Sequence, residues 1–152
     1  LYGEEYVKSL CVKHLILRTS WLFGPNGRNF VDTILSKARR GESLRVVDDQ
    51  SGCPTYTLHL AYGIEQAIGR KLEGIVHLTS SGEATWYELA VRTLEEAGIR
   101  CEIQPVATQE YPAKARRPHY SVLESLIVRY AGLDPLPHWI EGLRDHLSRT
   151  AN

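Results

Sequence analysis

The sequence predicts an α/β fold. Short apolar runs alternate along the chain with stretches of 3.6-residue periodicity, and turn residues close the runs. The apolar runs are Leu15 to Ser20, Leu44 to Val47, Gly74 to Leu78 and Glu102 to Val106, each short enough for a buried strand. At 152 residues and 43% hydrophobic content the chain suits one domain with a real core.

The helices follow from their caps and faces. Tyr2, Tyr6 and Leu10 share one helical face, but no capping Ser, Thr, Asp or Asn precedes them, so this stretch reads as the second half of a longer helix. Asn29 caps a helix with Phe30, Val31, Ile34, Leu35 and Ala38 on its inner face, and Gly41 stops it. Leu60, Ala61, Ile64, Ala67 and Ile68 make the next helix. Thr85-Trp86-Tyr87-Glu88 is a capping box opening a helix that turns Trp86, Leu89, Ala90, Leu94 and Ala97 inward and ends at Gly98. Ser121-Val122-Leu123-Glu124 reads as a second box, opening a helix with Leu123, Leu126, Ile127 and Tyr130 inward and Gly132 as its stop. Leu136, Ile140, Leu143 and Leu147 define a last helix.

Composition excludes several function classes. Lys plus Arg (18) equals Asp plus Glu (18), so no global field draws the chain to nucleic acid or an anionic membrane. No window approaches the ~18 apolar residues of a membrane span, and no secretory signal is visible. Cys11, Cys53 and Cys101 are odd in number and far apart, which argues against a disulfide framework or a zinc site and fits a reducing cytoplasm. The six His are scattered without metal-site spacing, and no metal is expected.

The run Arg18-Thr19-Ser20-Trp21 puts hydroxyls and an indole at the carboxyl tip of a strand, where open α/β sheets dock their ligands. Alone, Trp21 reads as a core aromatic; its position favours a ligand contact. Gly24-Pro25-Asn26-Gly27 leads into the N-terminus of the Asn29 helix, whose free amides favour negative groups. Asp48-Asp49-Gln50 reads as a solvated strand end rather than a catalytic carboxylate pair. Lys114-Ala115-Arg116-Arg117-Pro118, after the Pro112 bend, is either a surface patch or a diphosphate holder using bidentate Arg contacts. None of the eight Tyr has a Lys four residues later, and no G-x-G-x-x-G occurs, so a dinucleotide pyrophosphate finds no Gly-rich turn.

Four separated segments, HLILRTSWLFGPNGRNFVDTIL, LRVVDDQSGCPT, GIVHLTSSGEATWYELA and RPHYSVL, resemble in order the carboxyl half of the dTDP-4-dehydrorhamnose reductases. These are extended short-chain dehydrogenases that act on nucleotide sugars. The resemblance implies the C-terminal part of an extended NAD(P)-binding Rossmann-type fold with a small α/β substrate-binding subdomain. Residues 1–152 would be the sugar-nucleotide substrate-binding portion, without the N-terminal cofactor-binding half. The family's catalytic Tyr-x-x-x-Lys is followed by Leu-x-Gly-Glu, which Leu1-Tyr2-Gly3-Glu4 matches. The catalytic Lys would then stand just before Leu1, and no catalytic residue would lie in this chain.

The same resemblance matches Trp21 to a sugar-contacting Trp and Arg117 to the Arg of an R-P-x-x-S-x-L motif near the nucleotide. Asn29, Phe30, Gln50 and Thr55 follow more loosely as pocket lining. It implies NADPH or NADH as cofactor of the whole enzyme, none held by this portion alone, a dTDP-sugar as substrate, a homo-oligomeric state and a cytoplasmic location. Two other readings share the scaffold: the non-catalytic regulatory subunit of methionine adenosyltransferase, and another nucleotide-sugar reductase or epimerase.

Overall fold

A computed structural model describes residues 2–111 and 116–150. Leu1, the Pro112 bend and Lys114 of the basic cluster therefore lie outside the described residues. In chain order the elements are α1 (Tyr2–Leu10), β1 (Leu15–Arg18), β2 (Leu22–Phe23), α2 (Phe30–Arg39), β3 (Leu44–Val47), β4 (Ser51–Gly52) and β5 (Thr55–Tyr56). They continue with α3 (Thr57–Gly69), β6 (Gly74–His77), β7 (Ser80–Ser81), β8 (Ala84–Thr85), α4 (Trp86–Glu96) and β9 (Ile103–Val106). A 3₁₀ turn at Thr108–Glu110, α5 (Leu126–Tyr130), β10 (Leu136–His138) and α6 (Trp139–Thr150) complete the chain.

The strands pair as doublets. β1 runs parallel to β6, from Leu15 opposite Gly74 to Arg18 opposite His77. β3 runs parallel to β9 from Leu44 opposite Ile103 to Val47 opposite Val106. Shorter parallel pairs join β2 to β5 and β7 to β10, and among the described residues only β4 with β8 is antiparallel. Helical crossovers between parallel strands are what the alternating pattern requires.

Three packed clusters hold these pairs. Phe23, Val31, Leu35, Tyr56, Leu89, Trp139 and Leu143 meet where α2, α4 and α6 converge. Leu60, Ala67, Val76, Leu78, Val128 and Leu136 bury α3 and α5 against β6. Ile34, Ala38, Leu44, Val46, Ala90 and Leu94 seal α2 and α4 over β3. In α1, by contrast, no residue is buried: Tyr2, Tyr6 and Leu10 are 84%, 67% and 78% exposed. Its anchor is a bidentate pair from Arg18 to Glu4, at 2.8 and 2.6 Å.

The local signals survive folding. The Asn29 side chain accepts from the Asp32 amide, and the Thr85–Glu88 capping box is complete in both directions. Gly41, Gly98 and Gly132 take positive φ just past the ends of α2, α4 and α5, as left-handed stop positions require.

Three expectations fail. Ser121 caps nothing: its amide and hydroxyl both donate to the Ser51 carbonyl, at 2.9 and 3.0 Å, which holds the segment extended. Helix α5 starts only at Leu126, and Val128 is its buried residue, whereas Leu126, Ile127 and Tyr130 face outward. Leu136 belongs to β10 rather than to the last helix, because it pairs with Ser80. On α3, Ile68 is 63% exposed and Ala61 is also exposed; Gly63 takes the inner position, with Leu136 and Leu78 against it.

Tyr56 ties α6 to the core and generates a pH test. Its side chain is fully buried, its hydroxyl donates to Asp145 at 2.5 Å, and Asp145 also accepts from Arg149. Burial, reinforced by the Asp145 carboxylate, pushes the phenol up from 10.0 to about 12. A group raised on folding contributes stability fully present below its unfolded value and lost as pH rises through the folded one. Denaturant midpoints should therefore fall as pH climbs from 10.0 to about 12. Tyr56→Phe should cost about 1 kcal/mol at neutral pH and flatten that alkaline fall.

Candidate functional site

The segment Ser51 to Tyr56 carries two strands and pairs in three directions. β4 sets Ser51 against Thr85 and Gly52 against Ala84, while β5 sets Thr55 against Leu22 and Tyr56 against Phe23. Ser51 also bridges to Tyr120, and its amide donates to the His119 carbonyl at 2.7 Å. The Thr55 amide donates to the Trp21 carbonyl at 3.1 Å, and Ser20 Oγ donates to the Cys53 carbonyl at 3.1 Å.

These pairings bring together two tryptophans 65 positions apart by their numbers. Trp21 immediately precedes β2 and Trp86 opens α4. Their rings stack with centroids 3.6 Å apart and planes 7° from parallel. Trp21 has φ of 47°, in the left-handed region, a conformation that costs an ordinary residue about 1–2 kcal/mol. The stacking and the Thr55 hydrogen bond offset that strain.

A cavity of about 290 Å³ opens beside this stack, between α2, β3 and the 3₁₀ turn. Phe30 and Trp86 form its aromatic wall, with ring centroids 4.7 Å apart and tilted by 52°. Ile34, Leu44 and Val46 add aliphatic surface. Gln50, Thr33 and Thr108 supply hydrogen-bonding groups, and Lys37, Arg45 and Arg117 supply positive charge. Among the described residues the lining carries no carboxylate, although Arg45 Nη2 reaches out to Glu110 at 3.3 Å. Apolar rings beside Lys37 and Arg117, which have no carboxylate partner among the described residues, suit an anion with a flat or apolar portion.

The neighbouring carboxylates are occupied elsewhere. Asp49 accepts the Thr108 hydroxyl and amide, which hold its carboxyl below the usual carboxylate range. Asp48 accepts the Thr85 hydroxyl at 2.7 Å. Among the described residues no three His, Cys, Asp or Glu side chains group to hold a metal.

Of the six residues expected in a site, the fold gathers Phe30, Gln50 and Arg117 on this one cavity. Trp21 stands behind Trp86 rather than on the wall. The Asn29 side chain is committed to its cap: Oδ1 accepts from the Asp32 amide while Nδ2 donates to Asp32 Oδ2 and the Gly24 carbonyl. On its other side, Asp32 Oδ1 bonds the fully buried His146 of α6 at 2.8 Å. Thr55 is fully buried and donates its hydroxyl to Cys53, so both residues stand behind the lining.

Trp86, Thr108 and Lys37 were not legible as site residues. Trp86 looks like a core position of α4, Lys37 like a charge suited to a helix C-terminus, and Thr108 carries no local signal. A larger cavity of about 540 Å³, bounded by β7, α5 and the 120–125 segment, takes in none of the six.

Comparison with known proteins gives the lineage. The family model described as the RmlD substrate binding domain matches residues 1–152. The chain is 41% identical over 150 residues to the spore coat polysaccharide biosynthesis protein SpsK of Bacillus subtilis, covering 99% of this chain and 52% of that protein. Among solved structures, the dTDP-4-dehydrorhamnose reductase of Clostridium acetobutylicum superposes with a TM-score of 0.95 at 37% identity, over 99% of this chain and 53% of the other. The Bacillus anthracis dTDP-4-dehydrorhamnose reductase, solved in complex with NADP, gives a TM-score of 0.93 at 37% identity, over 97% and 52%. The chain spans about half the length of these relatives. A family model over the whole chain and relatives of this identity settle the lineage: the chain belongs to the RmlD substrate-binding domain family.

Proposed function

We propose that this chain is the sugar-nucleotide-binding portion of a dTDP-4-dehydrorhamnose reductase. The whole protein would reduce the C4 ketone of dTDP-4-dehydro-L-rhamnose to dTDP-L-rhamnose with NADPH or NADH. The observation that carries the reading is the cavity in which Phe30 and Trp86 stand beside Lys37, Arg45 and Arg117. The rings suit the apolar faces of a nucleoside or a deoxysugar. Arg117 offers a planar fork that matches two phosphate oxygens at once. Asn29 fixes the start of α2, and with it the position of Phe30. Thr55 holds the loop that carries Gln50. The similar dTDP-4-dehydrorhamnose reductases of Clostridium acetobutylicum and Bacillus anthracis, the latter in complex with NADP, support the same substrate and cofactor classes.

The nicotinamide would supply the hydride in the whole enzyme. This chain's residues do not fit its pyrophosphate, since no G-x-G-x-x-G turn occurs among the 152 residues. A Tyr-x-x-x-Lys pair is likewise missing, so the proton donor for the new C4 hydroxyl belongs to another portion of the protein. The exposed Tyr2, Tyr6 and Leu10 face of α1 supports burial against such a portion or a second copy. The three free cysteines and the nucleotide-sugar substrate fit a cytoplasmic enzyme.

Two outcomes test this reading. The purified 152-residue chain, given dTDP-4-dehydro-L-rhamnose and reduced nicotinamide cofactor, should show no cofactor oxidation in an absorbance assay. Arg117→Lys should weaken dTDP binding about tenfold by calorimetry, because a point charge loses the second hydrogen bond. The loss should shrink for dTMP and vanish for thymidine; equal losses for all three ligands would assign Arg117 a structural role.

A further inference from the structure

Gln50 is only 6% exposed, yet it lines the cavity between α2, β3 and the 3₁₀ turn. Hydrogen bonds on the far side of its amide decide which end meets that space. The Asp49 carboxylate takes the Thr108 amide at 3.0 Å from each oxygen and the Thr108 hydroxyl at 2.5 Å. A carboxylate only accepts, so the single hydroxyl proton of Thr108 is committed to Asp49. Thr108 Oγ1 can then only accept from Gln50, whose Nε2 donates to it at 2.9 Å. Turning the amide over would set two acceptor oxygens against each other. Gln50 Oε1 is thereby left as an acceptor of fixed direction. Among the described residues nothing donates to it, and it is not one of the sealed atoms without a partner, so it opens on the cavity.

A buried acceptor selects a ligand that brings it an N–H or O–H. The cations stand farther out: Arg45 and Arg117 are exposed and Lys37 is half-buried, which keeps a diphosphate at the rim and leaves the depth to a neutral group. The reacting sugar must face the cofactor, which belongs to another portion of the protein, so the base takes the closed end. Thymine offers a ring N3–H there, whereas cytosine carries a lone pair on the same atom.

We propose that Gln50 reads the base by taking the thymine N3–H on Oε1, and that Asp49 and Thr108 are positioning residues that fix the direction of its amide. The inference rests on the nucleotide-sugar reading and specifies how that site tells one pyrimidine from another.

The test is calorimetry on the 152-residue chain with dTDP, dUDP, dCDP and dTDP-L-rhamnose. dTDP and dUDP, which share the N3–H, should bind within about threefold of each other, and dCDP about tenfold more weakly. Asp49→Asn reverses the relay: its amide NH2 donates to the Thr108 hydroxyl, which donates to Gln50 and turns the Gln50 NH2 toward the cavity. That variant should bind dCDP at least as well as dTDP. Thr108→Val, which frees the Gln50 amide to turn, should bring the two ligands within about threefold, and Thr108→Ser should keep the original preference. A structural loss would weaken both ligands alike, and the Thr108 pair stands independently should Asp49→Asn fail to fold. Equal binding of dTDP and dCDP by the unsubstituted chain, or an unmoved preference in folded Asp49→Asn, overturns the base contact while the nucleotide reading stands. A loss confined to dTDP-L-rhamnose in the variants also overturns it, by assigning the acceptor to a sugar hydroxyl. Failure of the unsubstituted chain to bind any of the four ligands overturns both.

Discussion

The pairing of Ser51 to Tyr56 with three distant segments is the constraint on which the site depends. Through β5 this segment fixes Trp21 and Phe23, through β4 it fixes Thr85 and Trp86, and through Ser51 it holds the 119–121 stretch extended. Each pairing is short, and pairs of this size are weak alone. They gain strength by sharing one buried stretch: Gly52, Cys53, Pro54, Thr55 and Tyr56 are all buried. An unpaired amide there would cost about 1–3 kcal/mol, so loss of one pairing loads the others.

That constraint also explains the electrostatics. The turn that follows β3 delivers Asp48 and Asp49 to Thr85 and Thr108, and Gln50 to Thr108 at 2.9 Å. The acids closest to the cavity are thereby tied to protein donors, and Lys37 and Arg117 face it without a carboxylate in the lining. Positive charge beside apolar rings suits the nucleoside diphosphate sugar proposed above.

What could be read in the sequence was local. Asn29 and Thr85 cap helices through bonds spanning three residues, so their signals are complete within four positions. The strand runs at Leu44 and Gly74 are equally self-contained. Ser121 carries the same local signature, yet its partner is Ser51, 70 positions away, and that competition cannot be seen in a window. Leu136 fits a helical period but is claimed by Ser80. Trp86 shows the limit for function. A periodic pattern says that the ring turns inward, and nothing in it distinguishes a core position from a cavity wall reached by a loop closed elsewhere. Trp21 lies between β1 and β2, close to where its place in the sequence puts it, whereas its stacking on Trp86 is purely tertiary.

The central claim is that this chain alone carries a formed nucleotide-diphosphate cavity between α2, β3 and Trp86. Backbone amide chemical shifts recorded during a dTDP titration test it most directly. The account predicts saturable shifts concentrated at Phe30, Gln50, Trp86, Thr108 and Arg117, with the larger cavity around Leu78, Val128 and Leu136 undisturbed. Shifts confined to that larger cavity, or no saturable shifts at all, would contradict it.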